Sequence, residues 1–120
     1  MFYRFWNDYR DGWRKWRHFS GRTSLISYLR YNVVMLVCML VALAFDTTLS
    51  QYTYGAMSLV VVLIHVIPLT SIGVRRLHDT GVSGWMMLVY FVPFIGVIVL
   101  LVLHLRRGQL VSNKYGDSPA

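Results

Sequence analysis

Three long apolar stretches with almost no charged residues constrain the fold of this chain more than any other feature. They cover residues 28–45, 54–74 and 85–105. A helix that crosses the hydrocarbon core of a bilayer needs about 20 predominantly apolar residues. We therefore predict an all-α membrane protein in which residues 1–120 form a single membrane domain.

The distribution of charge supports this prediction. Charged residues make up 14% of the chain, whereas soluble domains contain about 25%. A charge at mid-depth in a bilayer costs about 2.5–3.5 kcal/mol on insertion scales, and here the charges gather at the two ends and in one loop. Twelve Lys and Arg against five Asp give a net charge of +7. We expect anionic lipid, rather than nucleic acid, to be the partner of this positive charge.

The first apolar stretch is marginal as a span. Only residues 33–45 are purely apolar. A helix here can therefore cross the whole bilayer only if the Arg30 side chain extends to the interface and Asn32 finds a hydrogen-bond partner. Ala42-Leu43-Ala44 has the small-residue pattern of a signal-peptide cleavage site. The long aromatic-rich sequence before it favours a retained membrane anchor instead.

The first 22 residues, which we call the arm, predict an amphipathic helix. At about 100° per residue, the aromatic side chains fall on one face and most basic side chains on the other. Because Trp and Tyr prefer the headgroup level and basic residues are attracted to anionic lipid, we expect the arm to lie on the membrane surface. The alternative is that its aromatic face packs against the protein's own spans. The residues assigned to this interface are Trp6, Tyr9, Trp13, Trp16 and Arg22.

The orientation follows from the basic residues, because Lys and Arg accumulate on the cytoplasmic side of membrane proteins. Seven lie between the N-terminus and Arg30, none in the first loop and two in the second, which predicts a cytoplasmic N-terminus. Three complete crossings would place the basic tail, residues 106–120, outside, against the rule. The alternative is a re-entrant third segment that reverses at Pro93-Phe94-Ile95-Gly96. The length of the segment favours a kinked crossing.

Residues 75–84, which we call the hinge, contain the densest group of polar side chains. One interpretation is capture of a lipid phosphate or an acidic partner, with arginine as a bidentate donor. The other is a topology anchor, in which the arginines fix the orientation, Asp79 pairs with one of them and Gly81 forms the turn. Adjacent His78 and Asp79 offer a metal ion at most two ligands, so we expect no metal site. The residues assigned to lipid or partner binding are Arg75, Arg76, His78, Asp79, Gly81 and Ser83, together with the adjacent Trp85.

His65 lies near the middle of the second stretch, where an ionisable group is by default a functional hypothesis. It could relay protons or line a polar path. The alternative is a neutral imidazole that is hydrogen-bonded to Asn32, to Ser58 or to a carbonyl freed by a kink at Pro68. The absence of a carboxylate in the middle of a predicted span favours this packing role.

The tail is polar and rich in residues that favour turns. Its sequence Asn113-Lys114-Tyr115-Gly116-Asp117 predicts a turn. If the tail is cytoplasmic, Asn113, Tyr115 and Gly116 could pack beside the hinge. His104, just before the tail, is expected at the interface at the end of a helix.

The chain lacks the residue patterns of common enzyme sites. It contains no paired carboxylates, no plausible Cys–His pair and no glycine-rich phosphate loop, and we expect no cofactor. The first hypothesis is therefore a non-enzymatic module that binds lipids or membrane-protein partners and assembles as a homo-oligomer. The second is a small transport or pore-forming subunit that uses His65. A weaker alternative is a lipid-modifying enzyme centred on His78 and Asp79.

The order of several motifs resembles a bacterial inner-membrane family catalogued as domain of unknown function 805. The most specific is Arg75-Arg76-Leu77-His78-Asp79-Thr80-Gly81 followed by Ser83-Gly84-Trp85. The others are Phe19-Ser20-Gly21-Arg22 with Ser24 and Tyr28, Pro68, Pro93-Phe94-Ile95-Gly96, and Gly108 with Asn113-Lys114-Tyr115-Gly116-Asp117 and Pro119. One departure is Met86 after Trp85, where the family often has an aromatic residue. The resemblance implies a small multi-pass protein of the bacterial inner membrane and supplies no activity or catalytic residue.

Overall fold

The computed structural model describes residues 1–119, except for the side chains of Ser50 and Thr53, so Ala120 of the predicted tail lies outside the described residues. As predicted, the described chain is all-helical, and apart from one isolated β-bridge between Asn113 and Gly116 it contains no strand. The helices are α1 (Phe2–Arg14), α2 (Leu25–Thr48), α3 (Ser50–Thr53), α4 (Ala56–Asp79), a 3₁₀ helix (Gly84–Phe91) and α5 (Ile95–Leu105).

The two long helices, α2 and α4, form an antiparallel pair. Each has 24 residues, which corresponds to about 36 Å, and by length and composition both could cross a membrane. At one end of the pair, the carboxylate of Asp46 accepts hydrogen bonds from the backbone N–H groups of Met57 (3.1 Å) and Ser58 (2.8 Å). This negative charge complements the positive end of the α4 dipole. At the other end, the Thr23 N–H donates to the Arg75 carbonyl at 3.0 Å.

Both long helices extend beyond the predicted spans. The side chain of Ser24 accepts a hydrogen bond from the Ser27 N–H at 3.2 Å and so caps α2, which begins at Leu25. Helix α4 continues through Arg75 and ends at Asp79. The first half of the hinge is therefore the last turn of a helix, and its side chains point in directions fixed by that helix.

The third apolar segment forms a hairpin, residues 84–105, and does not run straight. Phe94 has a φ of 63° at the reversal, and Pro93 supplies no N–H with which to continue a helix. At Gly96 a Cβ would overlap with the carbonyl oxygen of Val89, so only glycine allows the two limbs to approach this closely. The eight residues of the 3₁₀ helix and the eleven of α5 each give a limb of about 16 Å.

Both ends of the hairpin lie at the hinge. Ser83 begins the 3₁₀ helix, and the carbonyl oxygen of His104, near the end of α5, accepts a hydrogen bond from the Nε–H of Arg76 at 2.9 Å. The segment is therefore a hairpin and not one kinked helix, and its re-entry into a membrane stays a prediction. The apolar length of the segment matched a bilayer only because two antiparallel limbs were counted as one helix.

The arm helix α1 packs against α2 and α4. A Cβ at Gly12 would lie 2.5 Å from the Tyr31 ring, so glycine permits close contact with α2. The single hydroxyl hydrogen of Ser71 on α4 is shared between the carbonyl oxygens of Lys15 (2.9 Å) and His18 (2.7 Å), which holds the arm against α4 just after α1 ends. The alternative interpretation therefore holds for the aromatic residues that face the spans, while Trp6 and Trp16 remain exposed.

Arg30 and Asn32, the two polar residues of the first predicted span, have partners inside the protein. Arg30 forms an ion pair with Asp8 of α1 at 3.1 Å, and its guanidinium lies 5.8 Å from the centre of the Phe5 ring. The Asn32 side chain donates to the carbonyl of Tyr28 at 2.8 Å. The arm thus compensates the charge of Arg30.

Candidate functional site

Asp79 is the centre of a buried group of charges at the end of α4. Its Oδ1 accepts a hydrogen bond from Arg22 Nε at 3.0 Å, and its Oδ2 accepts one from Arg76 Nη1. The three side chains are almost fully buried, with exposed fractions of 5% for Asp79, 1% for Arg22 and 0% for Arg76. We call these residues, with the parts of the tail that they bind, the hinge–tail cluster.

The two arginines of the hinge–tail cluster bind carbonyl oxygens at the end of α5 and in the tail. Arg22 donates through Nη1 to the carbonyls of Val111 (2.8 Å) and Gly116 (3.2 Å), and through Nη2 to that of Gln109. Arg76 donates to the carbonyls of His104 and Arg106. The last carbonyls of a helix lack partners within the helix, so Arg76 satisfies groups that the end of α5 leaves open.

The backbone of the tail contacts Asp79 directly. The Gln109 N–H donates to the Asp79 carbonyl at 2.8 Å. A Cβ at Gly108 would overlap with the Asp79 carboxylate, so this contact requires glycine. Gly81 has a φ of 79°, which favours glycine, and lies beside the Gln109 side chain. Gly108 entered the sequence analysis only through the family resemblance, and Gln109 was not named there, so it is their packing against the hinge that assigns both to this site.

His78 joins the hinge to the arm and the tail. Its ring stacks on that of Tyr115, with centroids 3.8 Å apart and planes inclined by 3°. Because a carbonyl oxygen can only accept, the 3.0 Å contact with the Gly21 carbonyl shows that His78 Nδ1 carries a proton. The Asn113 side chain donates to the His78 carbonyl at 3.0 Å. Asn113 and Tyr115 therefore pack against the hinge, whereas the Gly116 carbonyl contacts Arg22 of the arm.

Ser83 and Trp85 are placed outside the hinge–tail cluster. The Ser83 hydroxyl accepts from the Trp85 N–H at 3.4 Å and caps the 3₁₀ helix. Trp85 is 80% exposed and lies on the outer side of the hairpin base. Among the described residues, no group of three His, Cys, Asp or Glu side chains could hold a metal ion.

His65 has hydrogen bonds on both ring nitrogens. The Val61 carbonyl lies 2.8 Å from Nδ1, which assigns the proton to that atom, and Nε2 accepts from the Tyr9 hydroxyl at 2.8 Å. Burial raises the pKa of the Tyr9 phenol, so this hydroxyl keeps the proton that it donates. The partners predicted from the sequence were Asn32, Ser58 or a carbonyl freed near Pro68. The observed partners are instead the Val61 carbonyl and the Tyr9 hydroxyl of the arm. His65 is 3% exposed.

Arg75 differs from its neighbour Arg76 in its surroundings. Adjacent residues of an α-helix point about 100° apart, so Arg76 faces the tail and Arg75 faces the arm. Arg75 is 6% exposed, its Nε donates weakly to the Ser71 carbonyl at 3.4 Å, and Nη2 has no acceptor within the described residues. It lines a cleft of about 560 Å³, which we call the Arg75 cleft. The other residues of this cleft are Asp11, Arg14, Lys15, His18, Ser20, Gly21 and Arg22.

The model of a family described as protein of unknown function (DUF805) matches residues 16–117. The chain belongs to this family. Among its relatives in Escherichia coli K12, inner membrane protein YhaI is 34% identical over 102 residues, which cover 84% of this chain and 85% of the relative. Inner membrane protein YhaH is 27% identical over 104 residues, covering 84% and 86%. No solved structure matches.

The hinge–tail cluster lies within the part of the chain that matches the DUF805 family. Arg22, Arg76, Asp79 and the tail up to Asp117 all lie inside the region that the family model matches. Helix α1 ends at Arg14 and precedes that region. The hinge–tail cluster is thus built from the matched region, whereas the arm that closes the Arg75 cleft lies largely before it.

Proposed function

We propose that this DUF805 protein is a multi-pass inner-membrane protein in which α2 and α4 cross the bilayer and the N-terminus is cytoplasmic. The connection between the two helices, residues 49–55, contains no Lys or Arg. Because the hairpin returns the tail to the hinge, the arm, the hinge and the tail share one side of the pair. This arrangement agrees with the accumulation of Lys and Arg on the cytoplasmic side.

The hairpin then enters the bilayer from the cytoplasmic side and reaches about half of a 30 Å hydrocarbon core. Its exposed apolar side chains include Leu88, Phe91, Phe94 and Ile98, which suits contact with lipid tails. A re-entrant backbone needs protein around its polar groups. The packing of the hairpin against α4 supplies part of that protein.

In this position the protein acts as a non-enzymatic module that binds anionic lipid through the arm. One observation carries this proposal: the hinge–tail cluster pairs Arg76 and Asp79 of the hinge with each other and with the tail, whereas the basic side chains of α1 remain exposed. The hydrogen bonds on both nitrogens of His65 support a packing role over a transport path. Exposed apolar faces of α2 and α4 would contact lipid, membrane-protein partners or a second copy.

Lipid that co-purifies with the protein tests this function. The protein is reconstituted in vesicles of equal parts phosphatidylglycerol and phosphatidylcholine and extracted in a mild detergent. We expect phosphatidylglycerol to be enriched in the extract, because each basic residue near an anionic surface contributes about 1 kcal/mol. Replacing Arg4, Arg10 and Arg17 by Gln should reduce the enrichment, and replacing them by Lys should preserve it. Equal amounts of the two lipids with the unmodified protein would contradict the proposal.

A further inference from the structure

Arg75 is a buried cation that forms no direct ion pair in the described part of the protein, and the negative charge of Asp11 acts on it only from beyond 4.0 Å. Arg22 and Arg76 each bind the Asp79 carboxylate and several carbonyl oxygens. Arg75 forms no ion pair within 4.0 Å among the described residues, and its Nη2 is both buried and without an acceptor. Burying an arginine in this way is costly unless a negative group satisfies it. The unsatisfied guanidinium group of Arg75 therefore indicates a ligand that carries negative charge.

The walls of the Arg75 cleft favour the same kind of ligand. Arg14 and Lys15, at the C-terminal end of α1, also line the cleft, and Ser20 adds a hydroxyl group. Asp11 is the one acidic residue that lines the Arg75 cleft among the described residues. The volume of about 560 Å³ lies within the range of about 300–1,000 Å³ that is typical of small-ligand sites.

In the proposed topology, the Arg75 cleft lies at the level of the lipid headgroups. Arg75 lies level with the start of α2, because its carbonyl accepts the Thr23 N–H at 3.0 Å. Residues 15–18 of the arm lie beside Arg75, because the Ser71 hydroxyl contacts the carbonyl oxygens of Lys15 and His18. A ligand bound here would connect the arm to α4 at the cytoplasmic boundary of the membrane.

We propose that the Arg75 cleft is a specific binding site for a phosphate group, with the Arg75 guanidinium as a bidentate donor and Arg14 and Lys15 as further cations. Arginine matches the geometry of phosphate oxygens, and a flexible lysine adds a point charge. The inference rests on the lipid-binding function proposed above and gives it a defined site. The phosphate belongs either to a lipid headgroup or to a free phosphate compound, since both present the same oxygen atoms.

The competing explanation is that Asp11 is the partner of Arg75 in solution. Replacing Asp11 by Asn separates the two explanations. If a phosphate binds, removing the like charge of Asp11 should strengthen its binding several-fold. If Asp11 neutralises Arg75, the same change should lower the thermal stability of the protein in the absence of phosphate, and Arg75→Gln in the otherwise unmodified protein should leave phosphate binding unchanged.

The experiment uses the full chain in phosphatidylcholine nanodiscs, with two probes. Native mass spectrometry measures the binding of added phosphatidic acid, and ³¹P NMR line broadening measures the binding of inorganic phosphate. We expect Arg75→Gln to weaken binding about tenfold or more, because it removes charge-assisted hydrogen bonds. Lys15→Gln should weaken it less, and Arg107→Gln, at an exposed position beyond α5, should leave it unchanged. Circular dichroism checks that each variant is folded.

The outcomes distinguish the two sources of phosphate and can overturn the inference. Binding of phosphatidic acid without inorganic phosphate identifies a lipid headgroup, and binding of inorganic phosphate identifies a free phosphate compound. Equal binding by the unmodified protein, Arg75→Gln and Lys15→Gln would refute the site. If Arg75→Gln does not fold, Lys15→Gln and Asp11→Asn decide the question. The enrichment of phosphatidylglycerol is expected to depend on Arg4, Arg10 and Arg17, not on the Arg75 cleft. It would therefore persist if the phosphate site were refuted, so the failure of one proposal can be told from the failure of the other.

Discussion

At the scale of single residues, adjacent charged side chains of the hinge have different roles. Arg76 and Asp79 form the ion pair that holds the tail, while Arg75 faces the arm and lacks an acceptor for Nη2 in the described chain. The hypothesis that one arginine pairs with Asp79 and anchors the hinge agrees with the contacts of Arg76. The hypothesis of phosphate capture now rests on Arg75.

Asp79 is the residue whose loss should affect stability most. Asp79→Asn leaves two buried guanidinium groups without their shared negative charge, and breaking a buried ion pair in this way costs about 3–5 kcal/mol. We expect a comparable loss of unfolding free energy, measured by denaturation in mixed micelles. The matched control is Asp117→Asn in the exposed part of the tail, which should change stability little. Equal stability of the two variants would show that Asp79 does not hold the hinge–tail cluster together.

At the scale of secondary-structure elements, the hairpin depends on a reversal that few residues permit. Pro93 interrupts the helix, Phe94 takes a positive φ of 63°, and Gly96 allows the limbs to touch. Helix α4 shows the opposite behaviour: it continues past the apolar stretch to Asp79, because basic residues such as Arg76 in its last turn interact favourably with the negative end of the helix dipole.

Gly96→Ala should disrupt the reversal of the hairpin. The added methyl group would overlap with the backbone carbonyl of Val89, which cannot move aside as a flexible side chain could. Overpacking of this kind typically costs about 1–3 kcal/mol, and thermal unfolding in detergent should show a corresponding decrease in stability. Ile98→Ala removes an exposed side chain from the same helix and should have a much smaller effect. An unchanged midpoint for Gly96→Ala would mean that the limbs are farther apart than described.

At the scale of the whole molecule, the hairpin brings distant parts of the chain to one end of the α2–α4 pair. The arm, the hinge and the tail together contain all twelve Lys and Arg residues except Arg30, which pairs with Asp8 of the arm. Three complete crossings conflicted with the charge rule, because they placed the basic tail outside. In the proposed topology, the reversal of the hairpin places the tail on the same side as the arm, which removes that conflict.

A reporter fused after Ala120 tests this arrangement. Because the tail is bound to the hinge through Arg22 and Arg76, we expect a cytoplasmic signal from the C-terminal fusion. A reporter inserted between α2 and α4, after Gln51, should give a periplasmic signal and serves as the control. A periplasmic signal from the C-terminal fusion would contradict the re-entrant hairpin and the proposed topology together.

The sequence alone determined the helical class, the two long apolar helices and the membership of the family, because hydrophobic length and local motifs are properties of consecutive residues. It also placed Asn113, Tyr115 and Gly116 near the hinge, on the condition of a cytoplasmic tail. The tertiary structure alone decided the direction of the third segment, the partner of His65 and the different environments of Arg75 and Arg76. Apolar length measures how much backbone can be covered by lipid, but it does not determine whether two limbs are joined end to end or folded against each other. That choice depends on contacts such as Gly96 with Val89 and Arg76 with His104, which join residues far apart in the chain.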